Sequence, residues 1–375
     1  MNLHMRCLLS VLFFSIFSCL GLSAQSTPQE PLVFDPGLRI WGADLGIGYR
    51  GVHIIPDLDT IFWLYIGGGY ENIGYFLTPD GHSYDGSQAG YDPETSPYYW
   101  RGGGRFDLGI AQGITWNEAI QKNALEFFLF YRVRLDMQLH DDAAAPQLLF
   151  QSDQADKDGL LQNSLFGGIT WNDIRTNDPH RVLYGSYAEA SIEWGPEFFF
   201  NNTYGTADFI RFNLSAKGFL PLFDLDPASP VNVLSMYLGV NLRVDYAAGN
   251  NIPLNILNSF GGREGFPALG HALRGYEDYR FAAPFKAVCN IELRTNLPAV
   301  IRPDIVPGIV VYFDTGYYNL INVDEDGILF STGIGIYVYV FDFTSIVVYT
   351  HFPLSRELVT GGNWVPFALD LGFQF

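Results

Sequence analysis

The chain has 375 residues, 48% of them hydrophobic but only 16% charged, with 40 glycines, 31 phenylalanines and 22 tyrosines. That is too apolar for a disordered chain, and a mean hydropathy of +0.09 is too low for a bundle of membrane helices. The net charge of −19 argues against a phosphate-binding surface, so nucleic acid is not an expected partner.

The first element in the chain is a leader. Arg6 supplies a positive start, Cys7 to Leu22 an apolar run, and Leu22-Ser23-Ala24 a small-residue cleavage site before Gln25. Residues 1–24 therefore read as a secretory signal peptide, and 25–375 as a single domain. Ile16-Phe17-Ser18-Cys19 offers a loose lipoprotein alternative, but the apolar run continues past Cys19. Cys7 and Cys19 fall inside the leader, which leaves Cys289 in the exported chain. No disulfide framework and no cysteine-based metal site is expected from one thiol.

Beyond the leader, no apolar run is long enough for a membrane helix. Segments of roughly ten residues instead alternate apolar and polar positions, the signature of membrane-spanning strands. Leu125, Phe127, Leu129, Tyr131, Val133, Leu135 and Met137 oppose Glu126, Arg132, Arg134 and Asp136. The next clear segments set Ala188, Ala190, Ile192 and Trp194 against Tyr187, Glu189, Ser191 and Glu193, then Ile210, Phe212, Leu214 and Ala216 against Arg211, Asn213, Ser215 and Lys217. Further on, Leu234 to Val244 oppose Ser235, Asn241, Arg243 and Asp245, and Phe285 to Leu293 oppose Lys286, Asn290, Glu292 and Arg294.

Any half-buried strand alternates. Charges on the polar face, combined with strand length, point to an apolar outside and a wet lumen. Lipid satisfies no open sheet edge, so closure is expected. The spacing predicts an all-β, transmembrane antiparallel β-barrel of roughly 16 strands, within a range of about 12–16. Trp63, Tyr98, Tyr99, Trp100, Trp194 and Trp364 are candidates for interfacial girdles. Long polar stretches at 78–97, 141–159, 172–180 and 250–284 read as loops. The chain ends on the alternating run Val365, Phe367, Leu369, Leu371, Phe373, Phe375. It resembles the C-terminal signal by which bacterial barrels are recognised for assembly, with Leu371, Phe373 and Phe375 as its last members.

One stretch narrows the family. The loop 261–281 reads GGREGFPALGHALRGYEDYRF, and it is followed by AVCNIELRTNLP, VVYFDTGYY and STGIGIYVYV. This order resembles the surface-antigen barrel superfamily, which includes barrel-assembly factors and two-partner-secretion transporters. The resemblance implies a long loop folded into the lumen, carried here by Leu273, Arg274, Gly275 and Tyr276. It also implies that the Arg pairs with an Asp in a later strand, where Tyr312, Asp314 and Gly316 stand, with Tyr312 replacing the usual Phe. Parity alone places Asp314 on the lumen side with Tyr312 and Gly316, where a carboxylate needs a partner. Arginine suits that role through its planar fork. Five strands are expected after the loop, at 285–297, 308–317, 329–341, 344–352 and 365–375. Members that assemble or secrete proteins carry periplasmic client-receiving (POTRA) domains, and we read none here, so the resemblance is to a barrel-only member.

Other chemistry has little support. None of the seven histidines stands in a zinc-protease or hydrolase motif. The Gly67–Gly69 and Gly102–Gly104 runs read as relief of crowding in strands or bulges. Asp153, Asp156 and Asp158 lack the glycine of a calcium loop. We therefore expect no catalytic residue, no metal and no cofactor. The expected function is protein insertion or translocation in the outer membrane through a lateral seam. The alternatives are a passive pore for small solutes and a surface antigen or adhesin scaffold. Expected partners are the outer-membrane bilayer, client barrel or secreted proteins, and a periplasmic accessory subunit.

Overall fold

The computed structural model describes residues 31–39, 42–56, 58–74, 98–120, 122–139, 156, 159–177, 180–263, 268–276, 281–320, 325–340, 344–355, 366–371, 373 and 375. The leader and the expected loops at 78–97 and 141–155 lie outside these residues, as do Trp364, Val365 and the side chains of Tyr98 and Tyr99. The described strands are β1 (Leu32–Arg39), β2 (Gly42–Val52), β3 (Thr60–Gly74), β4 (Tyr98–Asn117), β5 (Lys122–Leu139), β6 (Gly159–Asn172), β7 (Arg175–Asn177) and β8 (Val182–Gly195). They continue as β9 (Asp208–Asp224), β10 (Ser235–Asn251), β11 (Phe285–Asn296), β12 (Ile305–Leu320), β13 (Glu325–Val340), β14 (Thr344–Pro353) and β15 (Phe367–Leu371).

All 15 belong to one antiparallel sheet, and every strand except β7 follows its chain neighbour along a single path from β1 to β15. The all-β expectation holds, with the count inside the expected range. The stretch 172–180 is not wholly loop, because β7 forms a side hairpin with the start of β8. The glycine runs sit opposite each other in regular ladder, Gly68 against Gly104 and Gly69 against Gly103. They are strand positions rather than bulges. Among the described residues, β1 and β15 form no ladder with each other.

Parity decides which face a residue takes. On β9, Leu214 is 50% exposed while Ser215 beside it is 2% exposed. The same division runs along β5, β8, β10 and β11: apolar side chains cover the outside and polar ones crowd the inside. An apolar exterior over a charged interior inverts the arrangement of a water-soluble protein and suits lipid.

Trp63 departs from its expected place. It is buried on the inner face with Ile61, Ala111, Phe128, Phe130 and Phe166, not in an outer girdle. On β3 both faces are apolar around this residue, so composition gives no sign of which side is inner. Trp100 and Trp194 do lie on the exposed side.

Candidate functional site

The interior is filled by the connection between β10 and β11. It carries two short helices, α1 (Leu254–Asn258) and α2 (Leu269–Ala272), and its apolar side chains Phe260, Leu269, Leu273, Tyr276 and Phe281 form a buried cluster with Val288, Tyr318 and Leu329 of the wall. A loop at the surface would leave these groups in water. Turned inward, they are covered, and the loop's polar groups meet the charged face of the sheet.

That meeting is specific. Arg274 donates from Nε to Asp314 Oδ2 at 2.8 Å and from Nη2 to Oδ1 at 2.7 Å, the two-pronged geometry of a guanidinium on a carboxylate. Its backbone N–H also reaches Oδ2, at 3.3 Å. Nη1 donates to Glu292 Oε1 at 2.5 Å. The ring of Tyr312 lies under the guanidinium, 3.5 Å from Cζ to centroid, an arrangement that favours a cation. Arg274 is 5% exposed, and Asp314 and Glu292 are 0% exposed, so these charges are withdrawn from bulk water and face each other. Burial alone would lower the Arg274 guanidinium pKa, but the charges of Asp314 and Glu292 outweigh it and hold it above the ordinary value.

The neighbours of Arg274 use the same face of β12. Tyr312, Asp314 and Gly316 are two residues apart and point the same way. Tyr312 stacks, Asp314 pairs, and Gly316 makes room: a Cβ there would stand 2.4 Å from Leu273 Cδ1. Gly275 turns the chain with φ +99°, a left-handed conformation that L side chains rarely adopt. An added Cβ would also stand 3.0 Å from His351 Cβ. The Tyr276 hydroxyl donates to the Phe330 carbonyl at 2.8 Å and accepts from the Ser355 amide at 3.3 Å. Burial raises its phenol pKa. Leu273, Arg274, Gly275 and Tyr276 are thus seated on β12, β13 and β14 together.

Solved structures share the overall fold. The crystal structure of BamA from Haemophilus ducreyi lacking POTRA domains 1-3 superposes with a TM-score of 0.53 over 90% of this chain, at 12% sequence identity. The two share a fold, a single antiparallel sheet of the same kind. CdiB from Escherichia coli gives a TM-score of 0.49 over 88% of this chain, also at 12% identity. This chain spans 63% of the length of the BamA chain and 51% of the CdiB chain. No protein-family model and no curated protein matches it.

The loop is held at more points than the motif names. Arg263, earlier in the loop, pairs with Glu126 on β5, and its backbone N–H donates to Glu189 on β8 at 2.9 Å. Asp245 on β10 binds Arg211 at 2.9 Å and Lys286 at 3.1 Å, and accepts the Gly261 amide at 3.1 Å. Asn255 of α1 donates to Asp136 and to Gln162, each at 3.0 Å. Asn290 on β11 donates to the Ala272 carbonyl at the end of α2, at 2.7 Å. Between the loop and β1–β5 lies a polar cavity of ≈ 180 Å³ lined by Asp35, Asp44, Arg105, Asp107, Arg132 and Arg263, roomy enough for several waters.

Sequence reasoning missed Glu292 as the second partner of Arg274. It also missed Arg294, whose Nε donates to the other oxygen of the same carboxylate at 2.6 Å. Both were visible as charges two apart on the inner face of β11. Which loop residue they would meet was not.

The last predicted residues behave differently. β15 pairs with β14 only from Phe367 to Leu371, and the side chain of Leu371 is outside the described residues. Phe373 and Phe375 do not continue the strand: their rings turn inward and pack against Arg294. The expected strand to residue 375 is therefore shortened, because the two terminal rings are placed beside a buried guanidinium rather than along the outer wall.

Proposed function

We propose that this protein is an outer-membrane barrel of the surface-antigen superfamily that inserts or translocates other polypeptides. It acts without covalent chemistry, through a seam between its first and last strands. The observation that carries this reading is the tapering of the sheet toward its end. β13 has 16 residues, β14 has 10 and β15 has 5, and β15 finds no described partner in β1. A short last strand leaves few hydrogen bonds to break, and a strand edge with free N–H and C=O groups templates an incoming strand. The superfamily fold supports the reading, as does the locked loop. Arg274 and Asp314 tie the loop to β12, three strands along the sheet from β15, while the seam opens. The bilayer is the surrounding medium, and client barrels or secreted proteins are the partners.

The interior packing disfavours a passive pore, because residues 252–263, 268–276 and 281–284 of the β10–β11 connection lie against the inner face, in the space a solute would use. The deciding experiment is depletion of the protein, followed by quantitation of other barrels in the outer membrane. A broad loss, with precursors accumulating in the periplasm, is the expected result. An unchanged barrel population would overturn the assembly reading. Steady conductance in planar bilayers that survives deletion of the loop would put a channel in its place.

A further inference from the structure

One end of β6 has lost its neighbouring strand. β6 ladders with β5 from Gly159 to Trp171, but with β8 only from Leu165 to Asn172. Among the described residues, 159–164 therefore have no strand beside them on the β8 side. The β8–β9 connection takes that place. The Leu161 N–H donates to the Tyr204 carbonyl at 2.7 Å, and the Asn163 N–H to Asn201 Oδ1 at 2.6 Å. Asn201 Nδ2 donates back to the Asn163 carbonyl and also to the Pro196 carbonyl, each at 2.9 Å. Asn201 is fully buried, so one side chain imitates a ladder rung and holds the connection against the wall.

The height of this patch is set by β5. Leu161 stands opposite Leu135 and Asn163 opposite Val133, and Leu135 and Met137 are exposed on the apolar outer side. The connection thus lies beside a lipid-facing stretch of wall. It is at the end that carries the long connections 75–97, 140–158 and 252–284, which in a barrel is the outward end. An open strand edge at that depth would go unsatisfied, which is the physical reason for the bonds from Asn201 and Tyr204. Asn163 shares parity with the apolar Leu161 and Leu165, and its Oδ1 accepts from the Tyr131 hydroxyl at 2.8 Å under the cover of the connection.

The largest side chains this connection exposes are aromatic. Phe198 and Phe200 are 69% and 75% exposed. Trp194, on the outer side of β8, meets Phe198 at 5.6 Å and Phe199 at 5.5 Å between centroids. A row of outer aromatics continues from Phe212 on β9 to Tyr246, Phe285 and Tyr317 on β10, β11 and β12, spaced 6.5, 6.5 and 5.8 Å. Phe200 is held in left-handed backbone, φ 65° and ψ 23°, which a bulky residue rarely adopts. Asn201 and Asn202, of a type that tolerates this conformation, stand next in the chain, yet the phenylalanine takes it. Such strain persists only where the surroundings impose it. Here the Asn201 N–H to the Glu197 carbonyl, at 3.1 Å, and the Thr203 N–H to the Phe200 carbonyl, at 3.3 Å, close the turn around Phe200. We infer that residues 196–207 are a re-entrant part of the barrel wall, and that Phe198 and Phe200 form a two-ring anchor in the outer leaflet, at the boundary of acyl chains and headgroups. The inference rests on the outer wall lying in lipid. Lipid is the occupant because the rings continue the outer aromatic row and sit beside membrane-level strand residues. Glu197 and Asn202, bonded to each other at 3.3 Å, give the connection its polar side. β8 and β9 stand near the middle of the path from β1 to β15, so the anchor sets depth and tilt far along the sheet from both terminal strands.

The test uses the full chain with its three cysteines replaced (C7S, C19S and C289A), reconstituted into phosphatidylcholine vesicles. F198C, F200C, N202C and L214C are made one at a time in that background and labelled with a nitroxide. Paramagnetic resonance then compares collisions with oxygen, which concentrates in lipid, against collisions with a water-soluble nickel chelate. F198C and F200C should give oxygen-to-nickel ratios several-fold above that of N202C and close to that of L214C on the outer face of β9. Water-like ratios at F198C and F200C beside a lipid-like L214C would overturn the inference and make the rings a docking patch for a protein. A water-like L214C would instead overturn the lipid-facing wall, and the anchor with it. Heat-modifiable gel migration verifies that each variant is folded. Should F200C fail at its strained position, F198C, which has no positive φ, carries the same test.

Discussion

Among the described residues, replacing Arg274 by methionine removes the one cation bonded to Asp314 and one of two bonded to Glu292, while leaving both carboxylates at 0% exposure. Breaking a buried pair from one side costs about 3–5 kcal/mol, mostly from the charge left behind. Glu292 keeps Arg294, so the uncompensated charge is Asp314. At about 2–4 °C per kcal/mol, the value for domains of 150–250 residues, the loss lowers the midpoint of heat-modifiable migration by roughly 6–20 °C. The D314L variant should lose less, since Arg274 keeps Glu292 as a partner. The double variant R274M/D314L strands neither and replaces the pair by apolar groups, which is often close to neutral. Its midpoint should sit well above the sum of the single losses, with a coupling of about 2–3 kcal/mol. A drop of less than about 3 °C for R274M, or strictly additive single and double variants, would refute the argument that this pair holds the loop in the lumen.

Two further outcomes follow from the geometry. Gly275→Ala should cost about 1–3 kcal/mol, because φ is +99° and the new Cβ stands 3.0 Å from His351 Cβ. Gly218→Ala on β9, where nothing lies within 4 Å, should be neutral or slightly stabilising in the same migration assay. Leu214→Arg, on the outer face near the middle of β9, should destabilise by about 2–4 kcal/mol when the protein is unfolded from bilayers. It should do much less in detergent thin enough to let the side chain reach water, and equal effects in the two media would remove the support for an outer face in lipid.

Some of this molecule could be read directly from its residues. Alternation with charges on one parity identified the inner faces of β5, β8, β9, β10 and β11, since a strand's side chains have only two directions. The motif named both Arg274 and Asp314 through its resemblance to a known family. Where both parities are apolar the reading failed: Ile61, Trp63 and Tyr65 alternate with Phe62, Leu64 and Ile66, and nothing in composition distinguishes the sides. The strand count was also only bracketed, because short paired segments such as β7 look like loop.

What the sequence determined by itself is therefore the period-2 pattern, the strand class and the sign of each face, all of which depend on neighbours along the chain. The tertiary structure decided what no local pattern carries. It brought the described residues of the β10–β11 connection inside and gave Glu292 two arginines, one from the loop and one from its own strand. It turned Phe373 and Phe375 away from the outer wall onto Arg294. Apart from Glu292–Arg294, these are contacts between groups 18 to 81 residues apart, and they exist because the sheet curls far enough to bring its inner face around a common interior. Buried charges then select their partners by geometry, since an unpaired one inside costs several kcal/mol, about as much as a large share of a domain's net stability.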